Sequence, residues 1–147
     1  MLYDAVVNES SPSPSLCTVL GTLHSIEARL EASLEPVGLS LAKFGVLSQL
    51  AAALEPLPLS TLAERRACVR SNITQLVDRL EAEALVERSD DPRDRRSVRA
   101  GLTDEGQKRF QAGVAALEEA ERALFAPLSA AERLSLQGLL GRLRGDV

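Results

Sequence analysis

The sequence predicts a mainly α-helical fold carrying one small β-hairpin, and three observations support it. Aromatic residues make up only 3% of the 147 residues and Trp is absent, so the core must be aliphatic, which suits helices better than a sandwich or barrel. Apolar residues recur at three- and four-residue intervals over most of the chain. Only residues 84–89 and 96–103 carry alternating or β-tolerant patterns, and the turn-forming Asp90-Asp91-Pro92-Arg93-Asp94-Arg95 between them makes a hairpin with a charged tip.

Each element follows in order. Residues 1–15 end in the Ser- and Pro-rich stretch 8–15, which reads as a flexible or extended lead-in. A first helix is expected from about Leu16 to Glu35, with Leu16, Val19, Leu20, Leu23, Ile26 and Leu30 at helical spacing and Pro36 and Gly38 ending it. Ser40 is the N-cap of a second helix through about Leu54, with Phe44, Leu47 and Leu50 inward. Glu55-Pro56-Leu57-Pro58 breaks the chain. A short third helix begins near Ser60, and a fourth runs from about Val69 to Glu83. After the hairpin, Thr103 caps a long fifth helix to about Phe125, and Ser129-Ala130-Ala131-Glu132 is a capping box for a sixth. The chain reads as one domain over 16–147, with neither an internal repeat nor a second domain.

The net charge is −4, from 17 basic and 21 acidic residues, which argues against a protein that coats nucleic acid without discrimination. Cys17 and Cys68 are too few and too far apart for a disulfide framework or a metal-ligand cluster. No cofactor motif or glycine-rich phosphate loop appears, and with His24 the only histidine, enzymatic activity is not expected. Residues 1–15 lack a signal peptide pattern, and no apolar run approaches a membrane span, so the cytoplasm is the expected location.

Two short helices followed by a hairpin outline a winged helix-turn-helix, in which the second helix of the pair enters the major groove of DNA. Ile73, Leu76, Val77 and Leu80 fall on one face of that helix and anchor it. Ser71, Thr74, Gln75 and Asp78 fall on the opposite face, with Arg70 and Asn72 near its start; such side chains read base edges or hold phosphates. A solvated face on an ordinary helix remains the competing reading. The hairpin adds Arg88, Arg93, Arg95, Arg96 and Arg99, offset by Asp90, Asp91 and Asp94. Arginines at such a tip suit a narrow minor groove. Asp94, two residues before Arg96, is expected to hold the Arg96 side chain by a charge-assisted hydrogen bond.

These residues together resemble the multiple-antibiotic-resistance regulator (MarR) family. The resemblance runs from about Leu39 to Leu143 and is carried by the segments 62–65, 71–81, 85–88, 91–99, 102–106 and 128–133. It implies an obligate homodimer built from helices at about 16–35 and 104–144, around a winged helix at about 39–103. It also implies binding of a pseudo-palindromic duplex, with Arg70, Ser71, Asn72, Thr74, Gln75, Arg79, Arg93, Arg95 and Arg96 as contacts, and a repressor released by a small molecule or an oxidant. The sequence departs from the family where Ala67 replaces the glycine before the recognition helix, where Ala84 replaces the glycine after it, and where Gly101 stands at a strand position. Alanine at a positive-φ position costs stability.

Cys17, near the start of the first helix, resembles the sensing cysteine of the family's peroxide-responsive branch, but no Tyr lies in the first two helices to hydrogen-bond its thiolate. A small buried apolar role competes for Cys17; Cys68, beside the recognition helix, is a candidate to couple oxidation to DNA release, with burial in the turn as its competing role. His24 is two turns from Cys17, too far to pair with it in a straight helix, and is the candidate to line a small-molecule pocket. A winged helix serving only protein interaction is the other open reading.

Overall fold

A computed structural model describes residues 13–65 and 70–145. The expectations for residues 1–12, for Ala67 and Cys68 and for the turn between the paired helices lie outside the described residues. The elements are α1 (Leu16–Leu34), a 3-10 turn (Glu35–Val37), α2 (Leu41–Ala53), β1 (Leu57–Pro58), α3 (Leu59–Arg65), α4 (Arg70–Ala82), β2 (Val86–Asp91), β3 (Asp94–Leu102), α5 (Asp104–Phe125) and α6 (Ala130–Arg144).

The helix starts are set by hydroxyl side chains that accept from otherwise unpaired N–H groups. Ser15 accepts from Thr18 N (3.1 Å), Ser40 from Lys43 N (3.1 Å) and Thr103 from Gly106 N (2.9 Å). At α6 the capping box closes in both directions: Glu132 N donates to Ser129 Oγ (3.2 Å), and Ser129 N donates to Glu132 Oε2 (2.7 Å). The Ser129 N–H holds the Glu132 carboxyl below its ordinary pKa.

The sheet is antiparallel in the order β1-β3-β2. Its third strand was not expected. Leu57 and Pro58 pair with Ala100 and Arg99 of β3. Two residues are too few to show alternation, and a proline argues against a strand except at an edge, which is where Pro58 lies. The hairpin is also longer than its sequence suggests. Asp91 pairs with Asp94, which leaves Pro92-Arg93 as a two-residue tip, with an irregularity between Asp90 and Asp91.

One aliphatic core sits inside the winged helix. Leu34, Leu39, Val46, Leu47, Leu50, Leu57, Leu62, Ala63, Ile73, Val77, Leu80, Leu85, Val86 and Ala100 are buried, and no described residue beyond 100 buries a large side chain. α5 packs against this core through gaps in its own surface. A Cβ at Gly106 would run into the Leu85 carbonyl oxygen, with Leu102 Cδ1 2.9 Å away, and one at Gly113 would lie 2.8 Å from the Phe44 ring. Phe44 also stacks on Phe110 with centroids 5.4 Å apart. Gly101 has a similar use: it lies in β3, where a Cβ would sit 3.2 Å from Pro56 Cγ.

Among the described residues, two that are not glycine adopt the left-handed conformation, Leu54 (φ 60°) and Ala84 (φ 59°). Ala84 follows α4, where Leu85 N donates to Leu80 O and Ala84 N donates to Glu81 O, both at 2.9 Å. That is the hydrogen-bonding of a Schellman helix end, which glycine ordinarily supplies.

Candidate nucleic-acid interface

The amphipathic pattern of α4 fixes which way it faces. Ile73, Val77 and Leu80 are fully buried and Leu76 half-buried, which turns Asn72, Thr74, Gln75, Asp78 and Arg79 outward, all exposed. Asn72, Gln75 and Arg79 follow at i, i+3 and i+7 and so share one stripe of the helix. Arg70 and Ser71 lie in the first turn of α4, but their side chains fall outside the described residues.

In the wing, the five arginines separate into two groups. Arg88 and Arg99 are committed to carboxylates. Arg88 on β2 reaches back to Asp78 and Glu81 of α4. Arg99 Nη2 lies 3.2 Å from Asp91 Oδ1. Arg93, Arg95 and Arg96 are exposed, and no salt bridge among the described residues engages them. Free positive charge is therefore concentrated at the tip and the adjoining stretch of β3, which suits attraction of a phosphate backbone.

Asp94 does not hold Arg96 in the expected way. Its Oδ1 accepts from the Arg96 backbone N–H at 3.0 Å, and Asp91 Oδ1 accepts from Arg93 N at 2.9 Å. A short carboxylate side chain meets the amide two residues on more readily than a guanidinium at the end of a long stem. Both aspartates thus brace the backbone of the tip, and Asp91 also pairs with Arg99, while the Arg93 and Arg96 side chains are left unclaimed by them. The Arg93 N–H holds the Asp91 carboxyl below its ordinary pKa, partial burial opposes this, and nearby Arg99 assists.

The candidate sensing residues are not brought together. Cys17 is half-buried and free, and His24 is exposed. His24 lines an open hollow with Glu27, Glu31 and Leu41, in which the Glu31 carboxylate accepts from Leu41 N at 3.2 Å. Among the described residues, no cluster of His, Cys, Asp and Glu is arranged to hold a metal ion, and no single helix is long and apolar enough to cross a membrane.

Sequence reasoning counted Arg88 among the wing charges and missed its reach to α4. The signal was present, since Asp78 and Glu81 are three residues apart on one helix face, but their partner comes from a strand ten residues later, which periodicity does not reveal.

Comparison with known proteins gives a consistent result. A family model described as the MarR family matches residues 37–97. The transcriptional regulator PecS of Dickeya dadantii is 33% identical over 131 residues, covering 85% of this chain and 79% of its own. The crystal structure of a probable transcriptional regulator from Pseudomonas aeruginosa superposes with a TM-score of 0.71 at 33% identity, covering 83% of this chain and 93% of that one. A mutant E. coli MarR complexed with operator DNA shares the fold, with a TM-score of 0.76 at 24% identity over 85% of this chain and 89% of that one.

Proposed function

The chain belongs to the MarR family of transcriptional regulators, and from that premise we propose that it acts as a homodimer reading a pseudo-palindromic operator and repressing transcription from it in the cytoplasm. The observation that carries this reading is the exposed polar stripe of α4 beside a wing whose Arg93, Arg95 and Arg96 are free of ion pairs. The outer face of α4 suits base edges in the major groove, with Asn72, Thr74, Gln75 and Arg79 as the proposed contacts and Arg70 and Ser71 at the helix start. The tip arginines suit the adjacent minor groove.

Dimerisation is supported by where burial stops. Leu16, Val19, Leu20 and Leu23 on α1 and Leu134, Leu139, Leu140 and Leu143 on α6 are 44–79% exposed in one protomer. Covering so many large apolar side chains is strongly favourable, at about 25 cal/mol per Å². A two-fold dimer through α1, α5 and α6 presents two α4 helices to half-sites about one helical turn apart. Occupancy of the promoter by such a dimer blocks polymerase with no further machinery. Release by a small molecule or an oxidant completes the proposal, with His24 and its hollow or Cys17 as the places to look.

The test is binding to the DNA upstream of the protein's own coding sequence, against a scrambled duplex of equal length, with peroxide and then thiol reductant added. Preferential binding to the upstream fragment supports an autoregulating repressor. Loss on oxidation with recovery on reduction assigns the trigger to a thiol, and indifference to peroxide turns the search to small molecules. If neither that fragment nor any duplex selected from random DNA is preferred over the scrambled one, the proposal fails.

A further inference from the structure

Arg88 differs from the other wing arginines in what it touches. Its backbone lies at the base of the wing, paired with Ala100 of β3. Its guanidinium turns to the recognition helix, where Nη1 donates to Glu81, Nη2 donates to Asp78, and the Thr74 carbonyl oxygen lies 3.4 Å from Nη2. Asp78 and Glu81 are neighbours on the helix surface, so one planar fork spans both carboxylates. The side chain is 25% exposed. Burial disfavours its charge, but the hydrogen bonds and proximity of the two carboxylates outweigh that and hold the guanidinium above its ordinary pKa.

We infer that Arg88 is a positioning residue for DNA recognition, locking α4 to the wing so that helix and tip meet the duplex as one rigid unit. The inference rests on the DNA-reading function proposed above. Three of the five N–H donors of Arg88 are engaged within the protein and its charge is matched by two carboxylates, so its principal role is not phosphate contact. The buried face of α4 sets which side turns outward, and the fork refines that angle relative to the wing through two charged hydrogen bonds. Base readout depends on that angle. Electrostatic attraction to the backbone does not. Removal of Arg88 therefore reduces specific binding far more than nonspecific binding.

The experiment uses the full-length protein, the tightest duplex selected from random DNA, and a scrambled duplex of equal length. Arg88→Met, which keeps the apolar stem, is expected to weaken the selected duplex about ten-fold or more and the scrambled one by no more than about three-fold, with the salt dependence unchanged. Arg88→Lys is expected to recover only part, because one ammonium does not span both carboxylates. Asp78→Asn with Glu81→Gln is expected to reproduce the loss, and adding Arg88→Met to that pair to cost little more, since coupled groups are non-additive. Equal weakening of both duplexes with a shallower salt dependence would make Arg88 a phosphate contact and overturn the inference. So would wild-type affinity in the triple variant, which would reduce Arg88 to a cover for acidic charge. Thermal unfolding accompanies each variant. If Arg88→Met does not fold, Arg88→Lys and the Asp78/Glu81 pair carry the same test. Failure of the wild-type protein to distinguish the two duplexes would overturn the DNA-reading function itself, and this inference with it.

Discussion

Replacing Ala84 with glycine is expected to stabilise the protein. Ala84 holds φ at 59° after α4, with its methyl group exposed, so truncation removes no buried contact. An L-residue in the left-handed region costs roughly 1–2 kcal/mol. Glycine escapes that cost but loses about 0.5–1 kcal/mol more conformational freedom on folding than alanine. The balance is a gain of about 0.5–1 kcal/mol, with the Leu85 N to Leu80 O and Ala84 N to Glu81 O bonds intact. In a chain of this length that is roughly 1–4 °C in thermal midpoint. Calorimetry or thermal circular dichroism at fixed protein concentration measures it, with Ala82→Gly as the control. Ala82 is exposed in the last turn of the same helix without the positive φ, and its replacement is expected to destabilise by about 0.5–1 kcal/mol. If Ala84→Gly lowers the midpoint as much as Ala82→Gly does, left-handed strain at the end of the recognition helix is refuted.

Other outcomes follow from the same structure. Gly106→Ala places a methyl group against the Leu85 carbonyl oxygen and is expected to cost about 1–3 kcal/mol or more; an unchanged melting temperature would show that α5 does not pack there as described. Arg96→Ala is expected to weaken operator binding by roughly 1–3 kcal/mol, and no loss at low salt would remove Arg96 from the contacts. The whole dimer, neutralising about six to ten phosphates, is expected to lose affinity steeply with salt, and a flat response would argue against groove binding. Because the Asp91 carboxyl is held below its ordinary pKa, its contribution to stability is complete above about pH 4 and is lost as pH falls through the depressed value. The stability gap between wild type and Asp91→Asn is therefore expected to narrow below about pH 4; a gap constant from pH 7 to pH 3 contradicts the hydrogen bond from Arg93.

Much of the fold was legible because its signals are local. Ser40, Thr103 and the Ser129–Glu132 box mark their helices in sequence and cap them in the structure. The inward stripe of α4 follows from Ile73, Val77 and Leu80 at helical spacing, and the wing from turn residues at 90–95. What escaped depends on distant partners. Leu57-Pro58 becomes a strand only because β3 arrives some forty residues later, and Arg88 becomes a brace only because the hairpin folds it back onto α4. The contact expected between Asp94 and the Arg96 side chain failed for a local reason, competition from the Arg96 amide.

The two-residue strand β1 has a mechanical consequence. It fastens the wing at Ala100 and Arg99, while Pro92 and Arg93 stand free at the far end of the ladder. About seven residues at about 3.3 Å each make an arm of roughly 20 Å. A tilt of about 10° at the fastening sweeps the tip through about 3.5 Å, close to the rise of one base pair. A slight shift of the segment between α2 and α3 that tilted the wing together with α4 would thus move the wing arginines by about one rung of the duplex.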